Sequence, residues 1–238
     1  MSTVHARNGG SLRRSLNTGY AVIDFETTGM RDNDAIVEIG VVLLDKDLSV
    51  EDTWEALVNP HRLILNTDVH GIEEDDVDRG LTFPALAGYF KHLLHGRTLV
   101  AHDATYEKRY LRYEFERWGM DDTVPDTWID TMQLSSRYLG VKKLKEALDV
   151  AKLPALKTLD ALSDASATAN LLRHLHEEHD ASVTGYPTAF FRGRSATEPE
   201  HTTTRATAPA APRRSPSPTL ARGRHRRFPI SAKSSLSR

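Results

Sequence analysis

The chain has 238 residues, 27% charged and 39% hydrophobic, with a formal net charge of −2 and no cysteine. That length supplies one large domain or two small ones with material for a core, and the missing cysteines exclude a disulfide framework and thiolate zinc sites and agree with a cytoplasmic protein. Its longest apolar runs, such as residues 39–44, fall far short of the ~20 residues a membrane span requires, so a soluble chain without membrane contact is expected.

Residues 1–17 carry basic side chains without the apolar core of a signal peptide, and read as a flexible polar lead-in. The next stretch, YAVIDFETTG, is an apolar run that ends in two acids one residue apart, Asp24 and Glu26, and then in a Thr-Thr-Gly turn. This is the pattern of a buried strand that delivers carboxylates to its edge. Residues two apart on a strand face the same side. Asp24 and Glu26 are therefore able to hold a hard cation such as Mg²⁺ or Mn²⁺ with oxygen ligands, although a lone D-x-E is also what a solvated strand end looks like.

Residues 35–44 (AIVEIGVVLL) predict a second strand and residues 53–58 a third, with no helical segment between them. An antiparallel meander follows from that order. After the turn signal Asn59-Pro60, the acids of residues 73–78 read as a helix start and a solvated face rather than a metal site. Residues 83–94 (FPALAGYFKHLL) have apolar side chains at helical spacing with Pro84 in the first turn, which predicts a core-facing helix. A short strand over 98–101 then runs into His102, Asp103 and Ala104 and a helix over 105–118. Tyr106, Tyr110, Tyr113 and Phe115 form its packed side, and Glu107 sits in its first turn. Residues 128–131 predict a strand, 132–139 a helix and 142–150 a short amphipathic helix stopped at Leu153-Pro154. Last comes a helix over 159–178, in which Asp164 stands among Ala161, Ala165, Ala167 and Ala169, residues small enough for close approach to a sheet. His174, His176 and His179 point in different directions and read as surface residues.

The near-neutral total hides an asymmetry. Residues 192–238 contain 11 Lys and Arg against Glu198 and Glu200, which leaves 20 basic and 31 acidic residues in 1–191, a body of about −11 beside a tail of about +9. The tail, rich in Pro, Ser, Thr, Ala and Arg, offers no apolar periodicity, and disorder is expected over 187–238. A basic arm of this kind adds sequence-independent affinity for nucleic-acid phosphates. It reads equally as a solvated extension.

Four separated segments resemble one family. DFETTG at Asp24 to Gly29, VHGI at Val69 to Ile72, AHDATYEKRYL at Ala101 to Leu111 and ALSDASATA at Ala161 to Ala169 are similar, in order and spacing, to the motifs of the DEDD superfamily of 3′-5′ exonucleases. That ribonuclease H-like group includes proofreading epsilon subunits, ribonuclease T and oligoribonuclease. The resemblance spans about residues 18–178 and implies an α/β domain over 18–180. Its mixed sheet has three antiparallel strands followed by two parallel ones, with helices on both faces. It further implies a 3′-5′ exonuclease acting on single-stranded 3′ ends with two Mg²⁺ or Mn²⁺ ions. By the same resemblance Asp24 bridges both ions, Glu26 and Asp164 complete one and Glu107 holds the other, while Thr27, Thr28, Gly29 and His102 lie against the terminal nucleotide. The plainer reading makes Thr27 to Gly29 an ordinary turn and His102 a packed or capping residue.

Three positions depart from the family pattern. The second motif has Glu107 where Asp is usual and Asp103 where Asn is usual, and the third has Leu159 where the family places a His that accepts the proton of the attacking water. The subgroup with Tyr four residues before the last Asp is not matched either, because that position is Asp160. A positioned general base contributes ~10²–10⁴-fold in rate, so Leu159 implies a slow enzyme. A catalytically degraded fold used to bind nucleic acid or protein is the other reading.

Overall fold

The computed structural model describes residues 18–120, 124–156 and 158–184. The lead-in of residues 1–17 and the basic tail of 187–238 lie outside the described residues. Among those described, no helix is long and apolar enough to cross a membrane.

Five strands form one sheet: β1 (Tyr20–Thr27), β2 (Ile36–Leu44), β3 (Val50–Leu57), β4 (Thr98–Ala101) and β5 (Ile129–Asp130), in the spatial order β3-β2-β1-β4-β5. The first three pair antiparallel, while β4 and β5 join in parallel, as the sequence implies. Among the described residues the helices are, in chain order, α1 (Thr67–His70), α2 (Glu74–Val77), α3 (Phe83–Leu94), α4 (Ala104–Arg117), α5 (Thr131–Tyr138), α6 (Leu144–Ala151) and α7 (Ala161–His179). Every residue of β2 is buried, because helices cover both faces of the sheet and no side of that strand meets water.

The pleat decides which layer each side chain joins. Ala21, Ile23 and Phe25 point to one face and pack with Phe83, Phe90, Tyr110 and Phe115 of α3 and α4. Tyr20 and Val22 point to the other and pack with Ala165, Ala169 and Leu172 of α7. A two-residue period then puts Asp24 and Glu26 on the α7 side. In register, Asp24 faces Gly40 and Glu26 faces Glu38 on β2, with the ladder shifting between Glu26 and Thr27 where the strand ends. Gly40 lets α7 lie directly on β2: a Cβ there would stand 2.3 Å from the backbone carbon and oxygen of Ala161.

One boundary differs from the sequence reading in a way that matters. α7 begins at Ala161, not 159, because the Asp160 side chain accepts the amide of Ser163 and caps the helix. Leu159 therefore precedes the helix and is 62% exposed. The acids at 73–78 form a capping box between Glu73 and Asp76 and open α2, as expected of a helix start.

Candidate active site

The site lies where β1 ends, beneath the first turns of α4 and α7. One carboxylate oxygen from each of Asp24, Glu26 and Asp164 can be chosen so that all three lie within 4.8 Å of one another. Asp164 arrives from the first turn of α7, whose position over β1 and β2 is fixed from below. The amide of Ala161 donates 3.0 Å to Glu38 Oε2, and the adjacent Gly40 removes the side chain that would hold the helix away. Glu107 arrives from the first turn of α4 and is 3% exposed. That helix starts at Asp103, which adopts the left-handed conformation (φ 71°) and accepts the Tyr106 amide. Asn and Asp tolerate this region better than other residues, so Asp103 serves in the place of the family's Asn. Asp130, the N-cap of α5, accepts the amides of Asp103 and Ala104, each at 3.3 Å, and ties the start of α4 to the start of α5.

The electrostatics follow from crowding and burial. Burial first, and then the charges of Glu107, Asp164, Glu26 and Glu38, hold the Asp24 carboxyl well above the usual range. Glu107 is pushed up in the same way, by burial and then by Glu26, Asp103 and Asp164, with Arg109 acting the other way. Burial, with help from Asp160, raises Asp164 to about 6. Glu107 Oε2 and Asp164 Oδ1 are buried without a hydrogen-bond partner. Carboxylates left this way are costly when charged unless a cation compensates them. An all-oxygen acidic donor set with buried, unpartnered lone pairs fits a hard divalent ion of the Mg²⁺ or Mn²⁺ kind.

The residues expected against a nucleotide are held differently. The Thr27 hydroxyl donates 2.7 Å to Gly29 O and lies 3.2 Å from the Tyr106 hydroxyl. Thr28 Oγ1 donates to Asp34 Oδ1 at 3.2 Å and accepts the Ala35 amide at 3.0 Å. Both hydroxyls thus bond within the turn itself. His102 likewise faces protein on both ring nitrogens, Nδ1 3.0 Å from Thr131 Oγ1 and Nε2 donating 2.7 Å to Lys142 O. Burial lowers the pKa of its ring, while the Lys142 carbonyl, Asp130 and Asp103 act the other way. His176 Nδ1 lies 3.0 Å from Ala181 O at the far end of α7.

Sequence reasoning passed over three residues that build this site. His70 is buried, with Nδ1 accepting the Ile72 amide and Nε2 donating to Thr27 O, each at 3.1 Å, so it pins the turn that follows the acids. Glu38 and Gly40 lie inside what reads, in sequence, as a continuous apolar strand. A charge and a glycine inside such a run are the available signals, since a strand glycine often marks the close approach of another backbone.

The profile of the exonuclease family of the RNase T type matches residues 21–172. The chain belongs to this exonuclease family. It thereby falls in the DEDD superfamily of 3′-5′ exonucleases, and its five-stranded mixed sheet is the ribonuclease H-like fold of that group. The exonuclease domain is 32% identical over 175 residues to the PolC-type DNA polymerase III of Caldanaerobacter subterraneus subsp. tengcongensis, covering 71% of this chain and 12% of that polymerase. It is 25% identical over 162 residues to the 3′-5′ exonuclease DinG of Staphylococcus haemolyticus, covering 66% of this chain and 18% of that protein. The chain thus spans a small fraction of the curated relatives it matches. Among solved structures, the nuclease domain of 3′hExo, described as a DEDDh family member bound to rAMP, superposes with a TM-score of 0.57 at 22% identity, over 67% of this chain and 92% of that one. A full-length 3′-exonuclease gives 0.61 at 21% identity, over 77% and 93%.

Proposed function

We propose that this domain is a divalent-metal-dependent 3′-5′ exonuclease that releases nucleoside monophosphates one at a time from the free 3′ end of single-stranded nucleic acid. The observation that supports it most is the convergence of Asp24, Glu26 and Asp164 within 4.8 Å of one another, with Glu107, outside that trio, near enough for its charge to act on Asp24 and its buried Oε2 left without a hydrogen-bond partner. In this reading Asp24, Glu26 and Asp164 hold one Mg²⁺ or Mn²⁺, and Glu107, with Asp24, holds a second. When bound, such ions acidify the attacking water and stabilise the leaving 3′ oxygen. Among the chain's own residues, Asp24 and Glu26 are fixed by the β1–β2 ladder, Asp164 by the Glu38 and Gly40 contacts with α7, and Glu107 by the Asp103 cap. A body of about −11 disfavours a broad duplex-binding surface, and a short single-stranded end suits it better.

Proton transfer is the weak point. Leu159 stands where the family's His is found, and Asp160 is occupied as the cap of α7. The expected enzyme is slow. Purified protein incubated with a 5′-labelled oligonucleotide and Mn²⁺ is expected to shorten it from the 3′ end, Asp24→Ala to abolish this, and Leu159→His to raise the rate by ~10²-fold. Equal activity in the parent and Asp24→Ala would contradict the assignment.

The same exposed Leu159 favours a second reading, a catalytically degraded exonuclease fold that binds nucleic acid or a protein. No metal-dependent shortening by the parent, with gain in Leu159→His, would support that reading.

A further inference from the structure

A polyanion must approach a site walled by four carboxylates in a body that is itself acidic. Arg109, two residues after Glu107 on α4, is the cation whose charge acts against the acids on Glu107. Its guanidinium carbon lies 5.1 Å from the ring centre of Tyr106 and 4.8 Å from that of Tyr110, and Nη2 donates 3.1 Å to the Tyr110 hydroxyl. Those tyrosines are anchored in turn to the segment that follows the catalytic strand. The Tyr110 hydroxyl donates 3.1 Å to Gly29 O, and the Tyr106 hydroxyl lies 3.2 Å from Thr27 Oγ1. The guanidinium is therefore held on two aromatic faces beside the turn that ends β1, with little rotamer freedom left to lose.

Its remaining contacts are weak or unmade. Nη1 donates 2.8 Å to Asp32 Oδ1, but the Asp32 side chain is 88% exposed and that of Arg109 36%, and ion pairs this open contribute little to stability. Nε is buried with no hydrogen-bond partner. With Nε buried and Nη2 held by Tyr110, a stacked, pre-oriented guanidinium whose Nη1 meets only an easily displaced carboxylate is suited to charge-assisted recognition of a phosphate through that nitrogen. We propose that Arg109 binds a backbone phosphate of the single strand whose 3′ end enters the acidic site, and that Asp32 competes for the same guanidinium. The identity of the phosphate as part of a nuclease substrate rests on the function proposed above; the contact itself does not require turnover.

The full chain carrying Asp24→Asn, which blocks hydrolysis, is titrated with a fluorescent single-stranded oligonucleotide in Mn²⁺ across a range of salt, with anisotropy as the signal. Adding Arg109→Ala is expected to weaken binding by roughly tenfold, in line with the loss of a charge-assisted hydrogen bond, and to reduce the slope of log affinity against log salt by ~0.7. Arg109→Lys is expected to keep that slope while recovering part of the affinity, and Asp32→Asn to tighten binding. The proposal is overturned by any of three results: Arg109→Ala leaves affinity and slope unchanged, it lowers affinity with the slope intact, which is the mark of a packing role, or the oligonucleotide does not bind. Should the parent release no nucleotide while the Arg109-dependent slope persists, the exonuclease reading fails and this contact stands.

Discussion

The two ends of α4 carry the same chemistry in opposite circumstances. Glu107 and Glu114 lie about two turns apart, and are 3% and 1% exposed. Glu114 is surrounded by donors: Oε1 accepts the Ile36 amide at 3.1 Å and Arg117 Nη1 at 3.3 Å, and Oε2 accepts Trp118 Nε1 at 2.8 Å. Burial raises its carboxyl, and Arg117, Ile36 and Trp118 each act to lower it. Glu107 is surrounded by acids, which push in the same direction as burial, and one of its oxygens has no partner. A buried acid among donors ties α4 to the start of β2. A buried acid among acids is a cost that only a bound cation or a proton offsets, and perturbed groups of this kind gather at functional sites.

Exchanging the two residues' fates is the strongest way to break this contrast. Glu107→Gln is expected to lower Mn²⁺-dependent shortening of an oligonucleotide by ~10²-fold or more, while raising the metal-free thermal midpoint because one repelling charge is gone. Glu114→Ala is expected to do the reverse, costing about 3–5 kcal/mol in urea unfolding because Arg117 and two buried donors lose their partner, with activity per folded molecule retained. A loss of stability in Glu107→Gln would remove the distinction between them. Next in size, Gly40→Ala forces α7 off β2 and is expected to cost about 1–3 kcal/mol, and to lower activity through the displaced Asp164. Glu38→Ala orphans the Ala161 amide and is expected to cost about 1–3 kcal/mol, whereas Glu38→Gln keeps an acceptor there and is expected to lose less.

A smaller effect separates charge from packing. Asp164 holds its proton more tightly in the folded chain, with a value of about 6, than an unfolded aspartate does. The metal-free folded state therefore binds more protons, and this residue's contribution to stability is greatest below the ordinary carboxylate range and is lost as pH rises through about 6. In EDTA, the thermal midpoint of the parent relative to Asp164→Asn is expected to fall between roughly pH 4 and pH 7. A difference that is flat, or that grows with pH, would show that the carboxylate is not destabilised in place.

How far the sequence reveals this arrangement depends on how local the cause is. α3 and β4 occupy the residues their patterns predict, because Pro84 and the spacing of apolar side chains act within one element. The acids that end β1 are legible for the same reason. The long-range ties are not: Glu114 meets Ile36 across 78 positions, and Glu38 meets Ala161 across 123, and neither pairing leaves a periodic trace. The second motif shows the limit most clearly. Tyr110 reads correctly as a core residue, yet its hydroxyl on Gly29 follows only from the packing of α4 against the end of β1. β5, with two residues, is too short for alternation to set its ends.

The most direct measurement is a calorimetric titration of Mn²⁺ into the full chain at neutral pH, beside Asp24→Asn. Saturable uptake of about two ions by the parent, with at least one lost in Asp24→Asn, is the predicted result. Heats that never saturate, or identical isotherms for the two proteins, would contradict the claim that these carboxylates are a divalent-metal centre.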